Sequence, residues 1–301
     1  GADYLNGGLE NFDNEAYGAG FRGLGMARFK GIDTEIQAIA QFGKKNGEKY
    51  FMVDALVNFG QGIPLGGLEI KGFGGGIYRH MQREEDIDVA MSQLTGGDVT
   101  TLGAGLSGIV YQVDPNTALG LKATVVLATA VGGGDGFNAN VTFGIEFGNN
   151  DTGGIGISRV FLEGVAKFMS PVDAGISPQF ASNGNPDDPF AGVGPPSGMS
   201  TTVKAYVLID LNFDIDLYSA RMALYIGESE SDFEYGNAWA AAEIDLPNNK
   251  WWIHVGTPAN RSQVTINVLD ALKFELTSYF ALGNTNVPGV PAPYTGAGAV
   301  D

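Results

Sequence analysis

The stretch that decides the fold is Val203-Lys-Ala-Tyr-Val-Leu-Ile-Asp-Leu-Asn-Phe-Asp-Ile-Asp-Leu217, in which apolar and polar residues alternate. Every odd-numbered position is apolar, and every even-numbered position except Leu208 is polar or tyrosine. Because side chains alternate between the two faces of a β-strand, this period predicts a strand with one apolar and one polar face. At about 3.3 Å per residue the strand would be roughly 50 Å long, and it needs equally long partners.

Similar patterns recur along the chain and predict an all-β fold. Residues 36–42 and 51–59 alternate in the same way around Lys44-Lys45-Asn46-Gly47, which indicates a hairpin. Further strands are predicted at 68–78, 102–112, 119–131, 138–147, 155–168, 221–227, 238–246, 250–255, 263–269 and 272–282, and only 83–94 resembles a helix. We predict a large antiparallel meander of about 12–14 long strands, either a closed barrel or a strongly curved sheet, with a β-sandwich as the alternative.

The pattern divides the chain into three parts. Residues 1–17 lack a strand pattern and are expected to lead into the domain. Residues 18–286 are expected to form a single β-rich domain with a long Pro/Gly-rich loop at 170–200, and residues 287–301 a Pro/Gly-rich exit linker. This division favours a segment of a longer polypeptide.

Composition narrows the classes of partner. The chain has 17 Lys and Arg against 34 Asp and Glu, a formal net charge of −17, so binding to nucleic acid or to an anionic membrane surface is not expected. It contains no cysteine, which excludes disulfides and thiolate chemistry. The 46 glycines follow no triplet period and are expected to allow turns, bulges and close backbone approach.

No pattern of catalytic residues emerges, so we predict that the chain is not an enzyme and has no cofactor. His80 and His254 are the only histidines, and their spacing fits neither a zinc site nor a Ser-His-Asp triad. We expect His254 to be a packed structural residue. The glycines of residues 72–76 lack the helix and lysine of a phosphate-binding loop and are expected to curve a strand.

Two sets of residues are candidates for ligand contact. Asp210, Asp214 and Asp216 lie on the polar side of the alternating stretch and could approach calcium, although they spread over about 20 Å of strand. The tryptophans could stack against a sugar, which would make a glycan the partner. These residues are Trp239, Trp251 and Trp252.

Three phrases resemble very large secreted surface proteins of gliding-type gram-negative bacteria. They are Asn237-Ala-Trp-Ala-Ala-Ala-Glu243, Asn249-Lys-Trp-Trp-Ile-His-Val-Gly-Thr-Pro-Ala-Asn-Arg261 and residues 153–171, and the most specific part is Trp-Ile-His-Val-Gly-Thr-Pro at 252–258. The resemblance implies a bacterial, extracellular or cell-surface location and one β-rich module of a much longer polypeptide. It implies no activity.

The function expected first is that of a non-catalytic structural module in a large extracellular or cell-surface assembly. Such a module would associate with itself, as a ring or filament, or with other modules of the same polypeptide. An adhesin or carbohydrate-binding module is the alternative, and an outer-membrane β-barrel is the second alternative. A membrane partner is not expected, because no aromatic girdles are evident and the charged strand faces would have to line a lumen.

Overall fold

The structure is a computed structural model, and it describes residues 3–85, 101–130, 136–149, 154–168, 203–226, 234–259, 261–268 and 272–287. Most of these residues form β-strands. In chain order the strands are β1 (Tyr4–Asn14), β2 (Gly18–Phe29), β3 (Thr34–Lys45), β4 (Glu48–Leu65), β5 (Leu68–Arg79), β6 (Met81–Arg83), β7 (Tyr111–Val113), β8 (Thr117–Thr129), β9 (Phe137–Asn149), β10 (Ile155–Phe168), β11 (Val203–Asn212), β12 (Leu217–Ile226), β13 (Glu234–Asp245), β14 (Lys250–Val255), β15 (Ser262–Val268), β16 (Leu272–Ser278) and β17 (Phe280–Gly283). One turn of 3₁₀-helix joins β2 to β3. A search of the described residues finds no helix with the length and hydropathy of a membrane span.

Fifteen strands form one antiparallel sheet, which confirms the predicted all-β meander. Neighbours follow the order β1-β2-β3-β4-β5-β8-β9-β10-β11-β12-β13-β14-β17, with β15 beside β13 and β16 beside β15. Strands β6 and β7 form a separate two-stranded sheet. Within the described residues β1 does not pair with the last strands, so hydrogen bonds do not close the sheet.

The last four strands occupy two positions across the sheet. Strand β14 pairs with Ala240–Asp245 of β13, and β15 pairs with Glu234–Asn237 of the same strand, so β14 and β15 follow one another along one position. Strand β17 pairs with β14 and β16 with β15, which places β16 and β17 together in the next position. The described sheet therefore has thirteen strand positions.

Many apolar residues of the strands point outward, and many polar residues point inward beside three buried apolar clusters. In β11, Lys204 and Tyr206 are 1% exposed and Asp210 is 4% exposed, whereas Ile209 is 39% exposed. Among the described residues, buried polar or charged residues are as numerous as buried hydrophobic residues, and more large apolar side chains are exposed than are buried. Proteins that fold in water bury large apolar side chains and rarely bury charged ones, so this arrangement is inverted.

A segment that leaves the sheet after β5 covers the concave face. We call residues 81–85 and 101–113, which include β6 and β7, the inner segment. His80 turns the chain inward in a left-handed conformation (φ 50°), and its Nδ1 donates to the Lys49 carbonyl at 2.8 Å. The inner segment touches eight successive strands from β2 to β11. Eight strands laid flat would span about 34 Å, so the sheet must curl around the segment.

Two glycines allow aromatic rings to lie against the inner face of the sheet. A Cβ atom on Gly120 would collide with the ring of Tyr78, and one on Gly144 would collide with the ring of Phe161. Each ring belongs to the strand next to its glycine, in register with it. Glycine within these strands therefore permits close packing, as expected from the sequence.

The stretch from Val203 to Leu217 is not one strand, which corrects the sequence prediction. Strand β11 ends at Asn212, and residues 213–216 form the turn into β12. The side-chain Oδ1 of Asn212 accepts a hydrogen bond from the backbone N–H of Asp214 at 3.1 Å, and Asp216 adopts a left-handed conformation (φ 49°). Asn and Asp favour such turns because their side chains bond to nearby backbone.

Three further expectations differ from the structure. Residues 102–112 were expected to form a strand, but only Tyr111–Val113 is one, because Gly103 and Gly108 take positive φ and turn the backbone. Residues 4–14, expected to lack a pattern, form β1 in full register with β2. The predicted helix at 83–94 begins with Arg83 in β6. Residues 86–94, the loop at 170–200 and the linker from 288 onward lie outside the described residues.

Candidate functional site

Five buried charged residues join the inner segment to the sheet, and we call them the charged clamp. Arg83 comes from β6, Glu146 from β9, Arg159 and Glu163 from β10, and Asp210 from β11. The alternation of these strands directs the four sheet residues to the concave face, where Arg83 enters from the inner segment. The clamp therefore depends on residues that are far apart in sequence.

Asp210 is the centre of the clamp because it accepts hydrogen bonds from both guanidinium groups. Arg83 Nη1 donates to one Asp210 oxygen, and Arg159 Nε donates to the other at 2.8 Å. Arg83 Nε also donates to Glu163, and Arg159 Nη1 donates to the Arg83 carbonyl at 2.8 Å. Charge-assisted bonds of this kind are the strong hydrogen bonds of protein interiors.

Glu146 joins β9 to the clamp. Its Oε1 accepts hydrogen bonds from the Arg83 backbone N–H at 2.8 Å and from the Tyr78 hydroxyl at 2.9 Å. Glu146 is 1% exposed, so these hydrogen bonds replace the water that its carboxyl group loses on burial. Three carboxyl groups and two guanidinium groups therefore meet in the clamp.

A second set of contacts holds residues 101–113, the second part of the inner segment, against the sheet. Lys122 Nζ lies 2.6 Å from Asp54 Oδ2 and donates to Ser107 Oγ at 2.9 Å. The same Asp54 oxygen accepts the Leu106 backbone N–H at 2.6 Å. Gln41 Oε1 accepts from the Gly103 backbone N–H at 2.8 Å, and Arg22 Nη2 donates to the Ala104 carbonyl at 3.1 Å. Both parts of the inner segment are thus fixed to the sheet by buried polar contacts.

The three aspartates proposed from the sequence for calcium do not come together. Asp210 is buried between two guanidinium groups, whereas Asp214 and Asp216 are exposed in the turn after β11. Within the described ranges no group of three or more His, Asp or Glu side chains is placed to hold a metal ion.

The three tryptophans proposed for sugar contact lie on opposite faces of the sheet. Trp239 and Trp252 are buried in an inward cluster, whereas Trp251 points outward and is 40% exposed. The Trp252 ring lies 4.5 Å from that of His254, which is 7% exposed, in keeping with the expected packed histidine. The three rings therefore share no common surface.

Most of the clamp had no direct signal in the sequence. A usable signal was present, because Glu146 is the only charged residue in Asn140–Gly148 and Asp54 the only one in Tyr50–Phe59. An isolated charge inside a long apolar strand needs a buried partner, since burying an unpaired charge is costly. Arg83 carried no such signal, because it stands beside other charged residues.

The outward face carries two rows of aromatic residues. The register between strands brings Phe21, Phe42 and Phe51 side by side, with ring centroids 5.2 and 6.1 Å apart, near the β3–β4 hairpin. We call this end of the sheet the hairpin end and the opposite end the far end. The hairpin-end row continues with Phe147, Phe213, Tyr218 and Trp251, and the far-end row consists of Phe29, Phe59, Phe137 and Phe168.

Between the two rows the outward face of β2 to β14 is apolar throughout. The described outward positions in this zone carry only apolar residues or glycine, for example 36, 38 and 40 in β3 and 205, 207, 209 and 211 in β11. The rows are eight residues apart in β4 (Phe51 and Phe59) and ten in β9 (Phe137 and Phe147). At about 3.3 Å per residue, these spacings correspond to roughly 26 and 33 Å along the strands.

Comparison with known proteins gives no family for this chain. No protein-family model matches it, and neither the curated proteins nor the solved structures contain a match.

Proposed function

We propose that this chain is a plugged β-barrel-type protein of a bacterial outer membrane, with strands that cross the bilayer. The observation that carries the proposal is the inverted sheet, apolar throughout its outward middle zone and charged within. Outer-membrane strands alternate apolar residues towards lipid with polar residues towards the interior, which is the pattern of β11. A protein in water would expose this zone to solvent at a large hydrophobic cost.

The dimensions of the zone support the same proposal. Outer-membrane strands carry an apolar band about 25 Å tall, bordered by aromatic residues at both membrane interfaces. With the strand tilt of about 40° found in barrels, the zone between the two aromatic rows would be roughly 20–25 Å high, close to that band. The girdles were not evident in the sequence because their members lie on separate strands and meet only through the register.

The inner segment acts as the plug in this proposal. It occupies the concave face, and the charged clamp and the Lys122–Asp54 pair fix it there. Water-filled barrels have polar interiors, and some barrels are closed by an inserted segment. The clamp would therefore keep the interior shut and the sheet curled.

The proposal departs from the expectation that a membrane is not the partner. It keeps the expected cell-surface location, because the outer membrane is part of the bacterial surface. The structural module of a larger assembly stays a prediction, compatible with a membrane-embedded sheet. The adhesin hypothesis stays a prediction as well, and the separation of the tryptophans gives it no support.

Brominated lipid should quench the fluorescence of Trp251 and spare the other two tryptophans. Trp251 points outward in the hairpin-end row, whereas Trp239 and Trp252 are buried inside. The protein would be folded into phosphatidylcholine vesicles with bromine near the headgroup end of the acyl chains. We expect partial quenching that disappears in Trp251→Phe.

Trp239→Phe is the matched control, because it removes an inward tryptophan and should leave the quenched component in place. Flotation of the vesicles on a density gradient shows whether the protein is bound at all. A monodisperse protein in detergent-free buffer that neither floats nor is quenched would refute the membrane proposal.

A further inference from the structure

The two edges of the sheet run in the same direction. Every neighbouring pair in the sheet is antiparallel, so direction alternates from one position to the next. With thirteen positions among the described strands, the first of these strands and the last therefore point the same way. Both β1 and the β16–β17 position run from the far end towards the hairpin end.

A sheet in lipid cannot leave these edges unpaired. All eleven residues of β1 pair with β2. On the other side of β1, the N–H and C=O groups of every second residue have no strand beside them within the described residues. The hydrocarbon core offers no water to satisfy such groups, which is why membrane sheets close on themselves. Closing this sheet directly would require a parallel ladder, whereas single-chain bacterial barrels are antiparallel with an even number of strands.

We propose that the seam between β1 and the β16–β17 position is a docking site for one further β-strand from outside these 301 residues, antiparallel to both edges. This inference rests on the proposed membrane function. The added strand makes the number of positions even and satisfies both edges at once.

The edges also define the chemistry of the added strand. Leu5 and Leu9 of β1 and Leu276 and Leu282 of the other edge point outward and are more than half exposed, so the added strand needs apolar residues at its outward positions. Inward positions at the seam include Glu10, which favours polar or basic residues opposite it. The partner is thus a strand that alternates in the same way as β11.

Two other occupants do not fit the seam. A second copy inserted in the same orientation would again offer a parallel edge, and antiparallel pairing between copies would require one copy to be inverted in the membrane. The C-terminal residues include prolines 288, 291 and 293. Proline has no N–H to donate to a ladder, so this part of the sequence is poorly suited to a central strand.

Two variants with extra N-terminal strands test whether an even number of strands closes the seam. In the first, a copy of residues 18–28 is joined through Asn-Gly to Tyr4. The copy can then pair with the free side of β1 in the register of the native Tyr4–Arg28 pair. The second carries a copy of residues 4–28, which adds two strands and leaves the total odd. Hydrogen exchange of the β16 and β17 amides is measured for both variants in phosphatidylcholine vesicles, next to the unextended chain.

We expect the one-strand variant to slow exchange of the seam-facing β16 and β17 amides by about 100-fold or more, because those amides gain ladder bonds. The two-strand variant should exchange as fast as the unextended chain. Equal exchange in the two variants, or protection already present in the unextended chain, overturns the seam proposal and leaves the membrane proposal intact. If the chain does not float with the vesicles, the membrane proposal is refuted. The seam proposal rests on it and is then refuted as well.

Discussion

Replacing Asp210 by alanine is expected to lower the free energy of unfolding by about 3–5 kcal/mol. Asp210 is 4% exposed and accepts hydrogen bonds from Arg83 and Arg159, so its loss leaves two buried guanidinium groups with too little negative charge.

Denaturant unfolding in vesicles, followed by intrinsic fluorescence, measures the effect of Asp210→Ala. Asp216→Asn is the matched control, because Asp216 is exposed in the neighbouring turn and asparagine tolerates its left-handed conformation. We expect the control to change stability by less than about 0.5 kcal/mol. If both variants unfolded alike, the clamp would not hold the inner segment.

Phe143→Arg should destabilise the membrane-inserted protein by about 2–4 kcal/mol, the penalty for a cation on the lipid face at mid-membrane. Phe143 points outward from β9 between Phe137 and Phe147, near the middle of the apolar zone, and is 48% exposed. In a protein surrounded by water, the same change at so exposed a site would be nearly neutral. The stability of this variant therefore distinguishes a lipid environment from an aqueous one.

The matched control is Phe213→Arg in the hairpin-end row, where Phe213 is 40% exposed. A cation at the membrane interface costs only about 0–1 kcal/mol, and the lost ring contact with Tyr218 adds a similar amount at most. Unfolding midpoints in vesicles should therefore fall much further for the first variant. Equal and small effects at the two depths would argue that the zone does not face lipid.

The alternation in the sequence predicted the strands well because it states which residues share a face. It does not state which face meets water, because the same alternation results whether the apolar or the polar face is turned inward. The alternation of Val203–Leu217 left open which face is enclosed, and in the structure Ile209 points outward and Lys204 is buried. The choice depends on the whole sheet, because only its curvature encloses the polar side chains.

Turns and the inner segment were harder to predict for a different reason. The alternation runs through Phe213 and Ile215 without a break, so only the Asn and Asp side chains of that stretch signalled the turn. Residues 102–112 read as a strand because they are apolar. Their burial inside the sheet depends on Gln41, Asp54 and Lys122, which lie on three other strands.

The clamp could be anticipated only in part. Asp210 was identified as a notable acidic residue, but its predicted role was calcium binding, and its partners Arg83 and Arg159 went unnoticed. These partners lie 127 and 51 residues away along the chain. A pattern that compares neighbouring residues contains no information about such pairings.

The long separation between Arg83 and Asp210 also orders the events of folding. Bringing together groups 127 residues apart carries a loop-closure entropy that local hairpins avoid. Arg83 meets Glu163 and Asp210 only when β6 lies against the β10–β11 pair, which local hairpins alone do not provide. We expect the clamp to form late in folding and therefore chiefly to slow unfolding.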